Sequence, residues 1–226
     1  PDRIERQPER DEADVEDQRS HFEHAALGCF EMRYERERRH RFGKAGTEEG
    51  REAGCHDWQA GCGEQEADGA WFGRWGTNYV YGTWSVLCAL NAIGIPADHP
   101  AMRKGVAFLT SKQRADGGWG ESGDSYWADK PRGEGPESTP SQTAWAVLGL
   151  MAAGEVESEA VVRGMTYLAD TQKTDGTWDE QEYTAVGFPR VFYLRYHGYK
   201  SFFPVWAMAR YRNLTQGNSQ HVMYGM

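Results

Sequence analysis

No apolar run in the 226-residue sequence approaches the about 20 residues that cross a bilayer as a helix, so no spanning segment is expected. Positive charge is short as well: the net charge is −9, which argues against a nucleic-acid surface. Cysteine is sparse, with Cys29, Cys55, Cys62 and Cys88, and no secretory-type segment is visible. Reduced thiols in a cytosolic setting are therefore expected. Cys55, His56 and Cys62 fit no zinc-ligand spacing, so no metal site is expected. Residues 1–62 lack any sustained helical or strand period. They hold 16 acidic and 11 basic side chains and 5 aromatics, too little apolar surface to offset chain entropy, so disorder or a marginal charged helix is expected there.

What the chain has in plenty is aromatic residues, 13 % of the whole, of which 24 fall after residue 62. It also has one phrase used three times, Q-x-x-D-G-x-W. The copies run from Gln65 to Trp71, Gln113 to Trp119 and Gln172 to Trp178, and begin 48 and 59 residues apart. Repeats of that period imply stacked supersecondary units. Asp-Gly marks a tight turn, because Asp bonds its own backbone and Gly accepts positive φ. A Gln amide beside an indole can bond the free backbone groups of a helix end. The second and third copies share a preface, Lys104-Gly105 before Phe108 and Arg163-Gly164 before Tyr167.

Between the phrases the pattern is helical. Trp84, Leu87 and Cys88 make a stripe from Thr83, which Val80 extends backward, closed by Gly94 and Pro96. Pro100 opens a second helix with Met102, Val106 and Leu109 inward. Thr139-Pro140-Ser141-Gln142 is a helix start, with Thr at the N-cap and Pro following. Ser158 opens another, striped by Val161, Met165 and Leu168. Pro189 is expected to start an aromatic helix and Pro204 the last one. On the first of these Phe188, Phe192, Tyr196 and Tyr199 would share a face, either as an ordinary core stripe or as a row of rings able to stabilise a cation. Helix, turn phrase, helix, repeated, predicts an all-α fold, an α/α barrel or toroid.

The phrases resemble the QW motif of the triterpene cyclases, specifically the squalene–hopene cyclase family. The blocks Trp71–Trp84, Ser138–Trp145 and Gly187–Leu194 resemble further family blocks in the family's order. The resemblance runs from about Glu64 to Arg212, the C-terminal portion of such an enzyme. It divides the chain into a charged segment, 1–62, an incomplete terpenoid-cyclase α/α barrel, 63–214, and a polar tail, 215–226. Because recognisable sequence begins so abruptly, a shifted reading frame or a gene-model error upstream of Glu64 is expected.

The resemblance implies an isomerase that cyclises squalene, an apolar polyprene, to hopene-type triterpenes without metal or organic cofactor. It implies a monotopic protein on the cytoplasmic side of the membrane, with oligomers allowed. Phe188, Phe192 and Tyr196 would line the cavity and stabilise successive cations, with Tyr199 a further cavity aromatic. Trp75 would line it too, and Tyr81 would stand near the initiating acid. Glu121 would join the polar network behind the cavity. Gln65, Trp71, Gln113, Trp119, Gln172 and Trp178 would brace the barrel. Two departures stand out. Arg190-Val191 replaces the family's usual Gly-Asp, and the D-x-D-D motif that supplies the strong acid is absent, so no catalytic residue is assigned and the isolated chain is expected to be inactive. The alternatives are a helical repeat that binds lipid or a partner, or a protein prenyltransferase β-like subunit. The latter would need Asp, Cys and His zinc ligands that Cys88, His99, His197 and His221 do not supply in any recognisable arrangement.

Overall fold

A computed structural model describes residues 63–217, all within the second of two compact units, residues 51–226. The charged segment, the three cysteines within it and the end of the tail lie outside the described residues. Five helices and one hairpin make up the rest: α1 (Tyr79–Ala92), α2 (Pro100–Ser111), α3 (Pro140–Ala152), α4 (Glu159–Thr171), β1 (Ala185–Phe188), β2 (Phe192–Leu194) and α5 (Tyr199–Thr215). α1 packs on α3 and α3 on α5, while α2 and α4 lie behind that row. This is a two-layer α/α arc, open at both ends among the described residues. The middle inner helix, α3, is buried along its whole length. Each outer helix buries one stripe, Met102, Val106 and Leu109 on α2 and Val161, Met165 and Leu168 on α4, as its period predicts.

The starts of α2, α3 and α4 are set locally. His99, Thr139 and Ser158 accept from the backbone N–H groups of Ala101, Gln142 and Val161, and Pro100 and Pro140 occupy first positions that need no donor. Gly94 and Gly154, at φ +83° and +85°, close α1 and α3.

Three expectations are corrected. α1 begins at Tyr79, four residues before Thr83, although Asn78 gives no side-chain cap. α5 begins at Tyr199, not Pro204. The proline is its sixth residue, near enough to the start that the chain gives up a single ladder bond there. No helix starts at Pro189. Residues 185–194 form an antiparallel hairpin in which Phe188 pairs with Phe192 across the turn. A spacing of four joins neighbours on a helix and also partners across a two-stranded tip, and here Pro189 and the β-formers Val186, Phe192 and Tyr193 favour the second. A bulge at Gly187 lets the strands close; a Cβ there would sit 1.9 Å from the Phe192 ring.

Candidate functional site

The three turn phrases are built alike. In each, Asp accepts from the backbone N–H two residues on (Ala70, Gly118, Thr177; 3.0–3.1 Å). The next glycine takes positive φ, +92°, +88° and +83°. The Gln amide donates to that glycine's carbonyl at 2.8–3.0 Å. The indole then reaches back: Trp119 Nε1 donates to Leu109 O (2.7 Å) and Trp178 Nε1 to Leu168 O (2.8 Å), taking up a carbonyl in the last turn of the preceding outer helix. All three indoles are buried. The second and third phrases are therefore clamps between an outer helix's end and the inner layer.

Two residues beyond the second and third Trp stand Glu121 and Glu180, both buried. Glu121 accepts from the N–H groups of Asn78, Tyr79 and Val80 at 2.8–3.1 Å and from Gly133 N at 3.0 Å. It is the cap of α1, delivered from more than forty residues away, where the helix dipole and free N–H groups favour a negative charge. Gln142 completes the node: its amide donates to Thr77 O and Glu121 O, and its Oε1 accepts from Glu121 N. Glu180 does the same for α3, accepting from Ser141 N (2.9 Å), Ser141 Oγ and Thr184 Oγ1. Burial pushes its carboxyl above the usual carboxylate range, against the pull of those bonds. Glu180 is the residue that a reading by motif overlooks. Its signal was available, since W-x-E follows the second and third phrases alike.

These nodes bring the starts of α1 and α3 to one end of the arc, and the aromatic residues gather there with Tyr199 at the start of α5. Tyr81 and Tyr199 are buried and meet edge-on at Trp145, with ring centroids 4.9 and 5.8 Å away. Trp84 stacks on Trp145 at 6.0 Å, and Tyr196 lies against Tyr199 at 4.9 Å. Burial raises the Tyr199 phenol well above its ordinary value, so it stays neutral. Trp75, Phe188, Phe192 and Tyr196 are 44–64 % exposed. Backbone bonds from Thr77 N to Thr184 O and from Val186 N to Trp75 O fasten the Trp75 loop alongside β1, which places it beside the Phe188–Phe192 pair. Two of the six predicted rings thus share a buried cluster, and four form its open rim. A cavity of about 140 Å³ that Tyr196 shares, lined also by Glu180, Gln181, Arg195, His197 and Lys200, is polar and far smaller than a hydrocarbon-binding site.

The rim is held by phenols that sequence reasoning passed over. Tyr126 Oη donates to Gly73 O (2.8 Å) and lies 3.1 Å from Gly76 O, pinning the loop on both sides of Trp75. Tyr193 Oη donates to Gly123 O (2.9 Å) and anchors the hairpin to the turn, residues 123–126, that carries Tyr126. Tyr126→Phe should cost about 1–2 kcal/mol in urea unfolding, since it strands buried carbonyls. Arg190, at the hairpin tip, stands at φ +66°, a conformation suited to the glycine expected there, and its guanidinium lies 5.5 Å from the Trp127 ring. The described residues contain no group of three metal-binding side chains and no helix long and apolar enough to cross a membrane.

An arc of paired helices, Q-W clamps on its outer side and aromatic rings gathered at one end define part of an α/α barrel of the terpenoid-cyclase type. The profile of the squalene-hopene cyclase C-terminal domain matches residues 42–213, and the chain belongs to that family. The match begins ahead of residue 63, inside the charged segment. The chain is 60 % identical over 163 residues to a squalene–hopene cyclase of Zymomonas mobilis, covering 72 % of this chain and 25 % of that protein. It is 51 % identical over 149 residues to the squalene–hopene cyclase of Alicyclobacillus acidocaldarius, covering 66 % and 24 %. A dammaradiene synthase of Dryopteris crassirhizoma is 43 % identical over 168 residues, covering 69 % and 24 %. The chain spans about a quarter of the length of the curated relatives it matches.

Proposed function

We propose that this chain forms one aromatic wall of a squalene-cyclising enzyme that makes hopene-type triterpenes. The observation that carries the reading is the aromatic assembly at one end of the arc: Tyr81 and Tyr199 fixed edge-on to Trp145, with Trp75, Phe188, Phe192 and Tyr196 presented beyond them. Rings held in place can stabilise a passing carbocation by about 0.5–2 kcal/mol each through their quadrupoles, without a base or water that would quench it. The remainder of the cavity and the acid that protonates the terminal alkene would come from polypeptide outside this sequence. The reaction would end by loss of a proton or capture of water. An apolar substrate fits delivery from a membrane surface, and we place the working protein peripherally on its cytoplasmic side.

Two experiments test this. Incubated alone with squalene, the chain should give no cyclised product by mass spectrometry, because it carries no D-x-D-D acid; clear product would refute the division of labour. Exchanging residues 63–213 for the matching quarter of the Zymomonas mobilis enzyme should preserve hopene formation. Phe192→Ala in that chimera should slow turnover by up to about 30-fold, the equivalent of about 2 kcal/mol. A folded but inactive chimera, or one indifferent to Phe192, would sink the proposal.

A further inference from the structure

The hairpin that carries Phe188 and Phe192 has the least to hold it. It is made of two short strands, and those two rings are 64 % and 44 % exposed. Two strands by themselves are marginal in water. The tip between them also holds Arg190, the one non-glycine residue at positive φ among the described residues, at +66°. A side chain in that conformation persists only where its surroundings over-determine it. Both the rings and the strained residue therefore need a brace from outside the hairpin.

The brace is the turn Gly123–Tyr126 together with Trp127, which follows it. Tyr193 Oη donates to Gly123 O (2.9 Å) and accepts from Arg190 N (3.3 Å), so one phenol joins the turn to the strained residue. The Tyr193 ring lies against bare backbone, since a Cβ on Gly123 would sit 2.7 Å from it. The Arg190 guanidinium lies 5.5 Å from the centre of the Trp127 ring, within cation–π range. Trp127 is tied to the turn in its own right, its backbone N–H donating to Asp124 O at 2.8 Å. Val191 N closes the tip on Phe188 O at 3.0 Å. The same turn carries Tyr126, whose phenol pins the loop on both sides of Trp75. Two parts of the rim, the Trp75 loop and the Phe188–Phe192 pair, thus take their position from residues 123–127.

We propose that Trp127 and Arg190 are positioning residues that set product specificity, by holding the Phe188–Phe192 pair where a carbocation of the cyclisation has to be kept. The inference rests on the cavity wall proposed above. Glycine would adopt φ +66° without strain and would leave the tip free. Arginine carries the strain and grips Trp127. What the grip supplies is time. A cation that loses the ring beside it gives up a neighbouring C–H proton to water, and the C–H electron pair becomes a C=C bond. That proton offsets the one gained at the start, and each ring left unclosed leaves one more C=C. A loose tip therefore yields isomers of squalene with fewer rings.

The test uses the full chain and the Zymomonas mobilis chimera. In the chain, Arg190→Gly and Trp127→Leu should each speed hydrogen exchange at the Val191 amide by about fivefold and leave exchange in α3 unchanged. Tm should stay within about 2 °C, because glycine suits the backbone at 190 and Trp127 is nearly half exposed. In the chimera both changes should raise the share of squalene isomers with fewer rings by about threefold at unchanged KM. Trp127→Phe, which keeps a ring face, should hold the parent share. A role in folding alone would move Tm and leave that share where it was. Unchanged exchange at Val191 in both variants overturns the grip, whether or not the chimera folds. An unchanged product share, while Phe192→Ala in the same chimera still slows turnover, overturns this inference alone. If Phe192→Ala is silent as well, the reading of the wall fails and this inference with it.

Discussion

Glu121→Ala is expected to lower the stability of this chain by about 4 kcal/mol, a fall in Tm of roughly 12 °C for a domain of this size. The carboxylate is buried and accepts four backbone N–H groups, three of them the free donors that open α1. Alanine leaves all four donors in a site that water does not reach, and removes the charge that complements the helix terminus. The loss should be local as well as global. Amide exchange in the first turn of α1 should accelerate more than that in α3, because Glu180 still caps the latter. Glu180→Ala makes the useful contrast. Two of the three donors it satisfies are hydroxyls, on Ser141 and Thr184, which can rotate toward other acceptors, so about 2 kcal/mol is expected. Urea titrations of the two variants decide it: equal losses would mean that the number of backbone donors is not what matters.

The same carboxylates explain how much of the fold was legible in the sequence. Where a helix carries its own cap, as at Thr139 and Ser158, the start was readable to the residue. α1 carries none, and its cap lies beyond a whole outer helix, so a reading by local pattern began it late, at Thr83. The turn phrases were fully legible because each is a closed set of local bonds, from Gln65 to Gly69 and from Asp68 to Ala70. The indole's partner, ten residues back at Leu109 or Leu168, follows from the same repeat. The hairpin was misread because Phe188 and Phe192 satisfy two periods at once, and only Pro189 and the surrounding β-formers break the tie. Of the candidate rings, Tyr81 was named only through the family resemblance and Tyr199 was expected on a helix from Pro189; the structure sets them in the first turns of α1 and α5. The exposed rings, Trp75, Phe188, Phe192 and Tyr196, sit on loops and a hairpin, whose direction is decided by Tyr126 and Tyr193 bonding distant carbonyls. Long-range bonds of that kind leave no local period to read.

Trp119→Ala should cost about 4 kcal/mol, close to the Glu121 effect but by another route. The indole is fully buried, donates to Leu109 O, and lies against the bare backbone of α4 at Gly164, where an added Cβ would come within 2.9 Å of the ring and 2.5 Å of Val147 Cγ1. Truncation removes that packing, opens a cavity between α3 and α4, and takes from Leu109 O the second of its two donors, leaving only Lys112 N. Trp119→Phe separates the contributions: it keeps most of the area and loses the hydrogen bond, so about a third of the alanine loss is expected. Gly164→Val alone should cost about 2–3 kcal/mol, because the site is already full. In the Trp119→Ala background the same valine has a cavity to enter, and its penalty should fall by at least 1 kcal/mol. A double-mutant cycle by thermal unfolding measures that coupling directly. Strict additivity would show that the glycine answers to Val147 alone, and that the indole and the outer helix are held apart by something other than their contact.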